Sequence, residues 1–66
     1  MQVTINGRPR EVPDDLTVQT LVAHLGLTEG PVAVEINQEV ITRSRHPEHR
    51  LHAGDVVEIV HFVGGG

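Results

Sequence analysis

Apolar and polar residues alternate at the start of the chain, with Val3 and Ile5 on one side and Gln2 and Thr4 on the other. That two-residue period predicts a half-buried strand. Asn6-Gly7 follows, the strongest short signal for a hairpin, because both residues tolerate positive φ. Residues 8–12 are the expected return strand. Pro9 suits an edge position, where no ladder N–H is lost, and Pro13-Asp14-Asp15 ends the strand. The period then changes. Leu21, Val22 and Leu25 form one apolar stripe with Val18 at its start, while Gln19, Thr20 and His24 lie off it, which predicts a short one-sided helix over 18–25. Thr17 is its expected N-cap, with Leu16 and Leu21 at the spacing of a hydrophobic staple. Gly26 falls where a left-handed residue is wanted after the last turn, and Leu27 falls within reach of Val22, as a Schellman motif requires. Asp14 and Asp15 are read as acids favoured by the helix dipole.

Beyond a loop over 28–31, Val32, Val34 and Ile36 alternate with Ala33 and Glu35 as a third strand. Asn37-Gln38-Glu39 turns the chain into a short strand around Val40-Ile41. Residues 42–53 are polar except for Leu51, a plug for the core from an irregular segment in which Pro47 is placed to open one helical turn. Gly54-Asp55 is a turn, and 56–63 is the last and strongest strand. The expected order is strand, strand, helix, strand, short strand, strand. This is an α+β roll with a mixed sheet of four to five strands and one main helix on one face. One domain over 1–63 carries a tail at 64–66.

In the last strand both parities are apolar. Val57, Ile59, His61 and Val63 point one way and Val56, Glu58, Val60 and Phe62 the other. A single helix covers one face only, and Glu58 marks the opposite face as wet. Val60 and Phe62 therefore fall on the open face beside the C-terminus. They read either as ordinary β-formers on a solvated sheet or as a partner-docking patch, in which Phe62, the sole aromatic of the chain, is the anchor. His61 lies on the helix side by parity, near the strand end.

Composition narrows the chemistry. Cysteine is absent, which removes disulfides, iron–sulfur clusters, thiol catalysis and Cys-based zinc sites. The five basic residues are all Arg, so there is no Schiff-base lysine and no internal acceptor for an isopeptide bond. A net charge of −4 disfavours nucleic acid as a partner. Arg43, Arg45 and Arg50 form a small basic cluster, either a solvated loop or a surface that steers toward an acidic partner. His46, His49 and His52 recur at intervals of three, but around Pro47 this spacing does not converge ligands, and no metal site is assigned. Ser44 has no base fixed beside it, and no nucleophile–base–orienter set is found. No apolar run reaches signal-peptide length or the roughly 20 residues of a membrane span. A soluble, cytoplasmic chain with no membrane partner is expected.

The remaining feature is Gly64-Gly65-Gly66. Alone, such a run is a weak signal and reads as a frayed end or a cloning scar more readily than as a functional arm. Here it ends the chain and follows a strong strand on a one-helix roll. With no side chain to pack it is expected to be flexible, with a reach of roughly 10 Å. Its reactive group is the Gly66 carboxylate, ionised at neutral pH. A carboxylate on such an arm can enter a narrow channel of another protein and attack the α-phosphate of ATP. A sulfur nucleophile can then displace AMP from the acyl-adenylate and leave a thiocarboxylate.

Five segments carry a resemblance. They are Met1-Gln-Val-Thr-Ile-Asn-Gly, Leu16-Thr-Val-Gln-Thr-Leu, Val32-Ala-Val-Glu-Ile-Asn, Ile41-Thr-Arg43, and the whole run from Leu51-His-Ala-Gly-Asp to Phe62-Val-Gly-Gly-Gly66. Together they resemble the ThiS-type sulfur carriers of thiamine biosynthesis, within the ubiquitin-like β-grasp superfamily, over essentially the whole chain. The family often has Gly where this chain has Gln38 and Pro where it has Thr42. The resemblance implies a carrier that is a protein cosubstrate and no enzyme, with no catalytic residue and no cofactor of its own. An E1-like, ThiF-like enzyme would use ATP to adenylate Gly66. Sulfur from a cysteine desulfurase route would convert the adenylate to a thiocarboxylate, and a ThiG-like thiazole synthase would take up that sulfur. Gly64, Gly65 and Gly66 would occupy the partners' channels, and Val60 and Phe62 would belong to the docking face. Alternatives are a carrier for molybdopterin synthase or for tRNA thiolation, or a non-covalent ubiquitin-like interaction module.

Overall fold

A computed structural model describes residues 1–62. Along the chain run β1 (Gln2–Ile5), β2 (Arg8–Glu11), α1 (Val18–His24), β3 (Val32–Ile36), β4 (Glu39–Ile41), a 3-10 turn (Arg43–Arg45) and β5 (Val56–His61). The strands form one mixed sheet in the order β2-β1-β5-β3-β4, a β-grasp roll with α1 against one face. The β1–β2 hairpin turns on Asn6 and Gly7 at φ 51° and 82°, both positive as a type I′ turn needs. Pro9 lies on the edge strand β2, opposite Thr4. The first and last strands pair in parallel, Thr4 beside Val56 and Ile5 beside Val57, and β3 pairs antiparallel with β5 from Val32–His61 to Ile36–Val57.

The core is what the two periods select. Val3, Val34, Ile36, Ile41, Val57 and Ile59 come from the covered sheet face, Val18 and Leu21 from the helix, and Val12 and Leu51 from connecting segments. The helix caps follow the expected chemistry. Thr17 Oγ1 accepts from the Thr20 N–H at 3.2 Å, and Thr20 Oγ1 accepts from the Thr17 N–H at 2.7 Å, a reciprocal box that lacked a sequence signal because Thr replaces the usual Glu or Gln. At the other end Gly26, at φ 75°, donates to the Ala23 carbonyl and Leu27 to the Val22 carbonyl, each at 3.0 Å, which completes the Schellman motif.

Two expectations are corrected. The single helical turn of the 42–53 segment is Arg43–Arg45, ahead of Pro47, and Pro47 stands in the turn that follows. The segment is anchored by what it gives the helix: the His46 and His49 carbonyls accept the Gln19 and Val18 N–H groups at 2.9 Å, satisfying N-terminal donors that a helix leaves orphaned. Asp14 and Asp15 do not serve the helix dipole, since α1 has no acid in its first turn. Asp14 Oδ1 instead lies 3.0 Å from the Met1 ammonium, which also meets Glu11 Oε2 at 3.1 Å. Asp15 takes a left-handed φ of 62° and stands 3.9 Å from Arg50 Nη1. Among the described residues no helix is long and apolar enough to cross a membrane.

Candidate functional site

The site is the end of β5, and the chain grips this strand from both sides. Asn6 substitutes for a ladder partner: its Oδ1 accepts from the Ile59 N–H at 2.8 Å and its Nδ2 donates to the Ile59 carbonyl at 3.1 Å. Asn37 holds the start of the strand in a different way. Its Oδ1 accepts from the Val56 N–H at 2.9 Å and its Nδ2 donates to Asp55 Oδ1 at 3.0 Å, while Asp55 Oδ2 accepts from the His52 N–H at 2.8 Å. Both asparagines are turn residues with φ near 51°. Their turn role was legible from sequence, but their clamps on β5 were not, because a residue's partner 19 or 53 positions away leaves no periodic trace.

On β5 the two parities separate as expected. Val57 and Ile59 are buried, whereas Val56, Val60 and Phe62 are 45 %, 55 % and 52 % exposed. Val60 stands beside Ala33, and Val40 beside Glu35 on the same open face. Val40 is 68 % exposed, an exposure missed because its strand is too short to show a period, and Glu35 stands between it and β5. Glu58 faces Glu35 directly, so two like charges sit across neighbouring strands on this face. The strand ends at His61. Val63, expected as its last residue, and Gly64, Gly65 and Gly66 lie outside the described residues.

The end of β5 has further partners in the 28–31 loop. The Phe62 N–H donates to the Pro31 carbonyl at 3.0 Å. His61 Nε2 bonds to the Glu29 carbonyl; a carbonyl only accepts, so this ring nitrogen carries the hydrogen. Gly30 lies against the Phe62 backbone with φ 82°. His61 is therefore partly covered and held within its own chain.

The other candidate groups serve the scaffold. His46 is buried and donates from Nε2 to the Ile41 carbonyl at 3.0 Å. Arg45 approaches Glu48 at 3.6 Å, and Arg50 lies 3.9 Å from Asp15, so two of the three arginines have an acid of this chain beside them.

A one-helix mixed roll in which the first and last strands meet at the centre defines a small β-grasp protein of the ubiquitin-like kind. The family model described as the ThiS family matches residues 3–66, and the chain belongs to that family. It is 44 % identical over 63 residues to the sulfur carrier protein ThiS of Bacillus subtilis, covering 94 % of this chain and 96 % of that one. The crystal structure of a thiamine biosynthesis protein (ThiS) from Geobacter metallireducens superposes with a TM-score of 0.84 at 36 % identity, covering all of both chains. The chain is also 39 % identical over all its 66 residues to a thiazole synthase of Paramagnetospirillum magneticum, of whose length it spans 20 %.

Proposed function

We propose that this ThiS-family sulfur carrier of thiamine biosynthesis is loaded at the Gly66 carboxylate and surrenders its sulfur to a thiazole synthase. In the first step a carboxylate oxygen attacks the α-phosphate of ATP in a ThiF-like, E1-like enzyme, which releases pyrophosphate and leaves an acyl-adenylate. In the second, the terminal sulfur of a persulfide supplied by a cysteine desulfurase route attacks the acyl carbon and AMP departs; a thiol then reduces the resulting acyl disulfide, is itself oxidised to a disulfide, and leaves the thiocarboxylate. ATP belongs to the activating partner; the carrier supplies the reacting carboxylate and a surface, and its partners supply catalysis. Gly64 and Gly65, without side chains, pass a narrow channel to the catalytic centre. Val60 and Phe62 on the open face dock the scaffold beside that channel.

The observation that carries this reading is the end of β5: a strand held on both sides that delivers an exposed aromatic to the root of a Gly-Gly-Gly sequence. The matching segment within a thiazole synthase supports that enzyme as the consumer of the sulfur. The test is intact-mass measurement of the full chain produced with its activating enzymes. One oxygen-to-sulfur exchange at the C-terminus is expected, lost when Gly66 is deleted although the protein still folds. An unchanged mass in the loaded wild-type chain defeats the proposal. Growth of a deletion strain restored by thiazole separates thiamine supply from molybdopterin or tRNA thiolation.

A further inference from the structure

We propose that the 28–31 loop is a clasp on the root of the reactive end, with Gly30 and His61 as positioning residues for loading; this rests on the carrier reading above. Three contacts converge on the last two described residues. One residue beyond the final ladder pair, Val32–His61, the Phe62 N–H is still held by the Pro31 carbonyl at 3.0 Å. The His61 ring donates to the Glu29 carbonyl. A Cβ built on Gly30 would lie 2.7 Å from the Phe62 carbonyl oxygen, so only a bare Cα lets the loop backbone close on that peptide.

The Phe62 carbonyl begins the peptide unit that leads onward, and a peptide unit is planar. The N–H bond to Pro31 and the close Gly30 backbone together restrict the rotations open to Phe62, the last of the described residues. The loop does not serve the core, since residues 28–31 are all exposed, and β5 is already secured by Val57, Ile59 and the Asn6 clamp. What the clasp adds is order at the point nearest the reacting group. Each residue ordered in advance is one fewer to order when the end enters a partner's active centre, and a displacement of about 1 Å at such a centre costs up to about a hundredfold in rate.

Gly26 supplies an internal control. Its φ of 75° nearly equals the 82° of Gly30, yet a Cβ added there meets nothing within 4 Å. Gly26→Ala therefore carries the left-handed penalty alone, and Gly30→Ala carries it with the collision. The experiment measures ATP–pyrophosphate exchange by the activating enzyme against carrier concentration, at equal folded fraction, for the full-length wild type, G26A, G30A, H61A and H61Q. Amide hydrogen exchange at Phe62 is followed in parallel. In G30A, kcat is expected to fall about tenfold or more relative to G26A, with KM within about twofold and with loss of protection at the Phe62 amide. H61A should lose turnover in the same way, and H61Q, whose amide N–H still reaches a carbonyl, should recover most of it. Equal turnover in G30A and G26A, or H61A matching wild type, overturns the clasp while the carrier reading stands, and an unprotected Phe62 amide in the wild type overturns it equally. No exchange with wild-type protein overturns the carrier reading and the role of the clasp with it.

Discussion

Gln38 is held at φ 70° beside Asn37 at 51° in the β3–β4 turn, and only one of the two has a reason to be there. Asn tolerates the left-handed region and uses its side chain on β5, whereas an unbranched L-residue there costs about 1–2 kcal/mol. Gln38→Gly removes that strain and returns part of the gain as unfolded-state freedom. The variant should be about 0.5–1 kcal/mol more stable, read as a higher urea midpoint at unchanged slope. A second residue-scale prediction concerns the Met1 amine. Its hydrogen bond to Asp14, then that to Glu11, raises its pKa above the ordinary value, against a lowering by lost hydration. A cation with a raised folded pKa stabilises fully below its unfolded value and ceases to do so as pH rises through the folded one. The chain contains no Lys, Cys or Tyr, so this amine alone titrates across the alkaline range. Thermal stability should fall as pH rises from about 8 to about 10, and N-terminal acetylation should leave the profile flat there; a flat profile in the unmodified chain would show that the ion pair contributes nothing.

Among the elements, legibility followed period and cap chemistry. The Asn6-Gly7 hairpin, the stripe of α1, the Thr17 and Gly26 caps and the two-faced β5 were all readable, because each rests on neighbours within four or five positions. The 42–53 segment was only half readable. Leu51 announced itself as the lone apolar residue of a polar stretch, but the carbonyls of His46 and His49 are anonymous in sequence, and it is they, rather than the imidazoles, that tie the segment to the helix. Asp14 and Asp15 misled for a related reason: a charge near a helix start has more than one available partner, and here Asp14 meets the Met1 amine and Asp15 stands near Arg50. Register carries its own prediction. Glu35 and Glu58 oppose each other across β3 and β5, and like charges so placed destabilise a sheet. Glu58→Thr should raise stability by about 0.2–1 kcal/mol, a gain that shrinks with added salt because the repulsion is screened. A gain independent of salt would trace the effect to β-propensity instead.

For the whole molecule, the fold was legible because a single helix leaves only one way to cover a sheet, which in turn assigns every residue of β5 to a face. Phe62 is the sharpest case. Its parity put it on the open side, and there it is half exposed. Phe62→Asp should leave the melting temperature within a few degrees, as surface substitutions usually shift stability by no more than about 0.5 kcal/mol, while weakening the complex with the activating enzyme about tenfold or more. A variant that unfolds would place Phe62 in the core. The clasp at Gly30 escaped sequence reading because a glycine in a polar loop looks like any other turn. The central position of β5 has one more consequence. The strand that closes the sheet is the last of the described elements, and without it β1 and β3 have no common neighbour and the interior lacks Val57 and Ile59. A fragment that stops before residue 56 should therefore show no cooperative unfolding transition in urea, because the strand that unites the two halves of the sheet is missing from it.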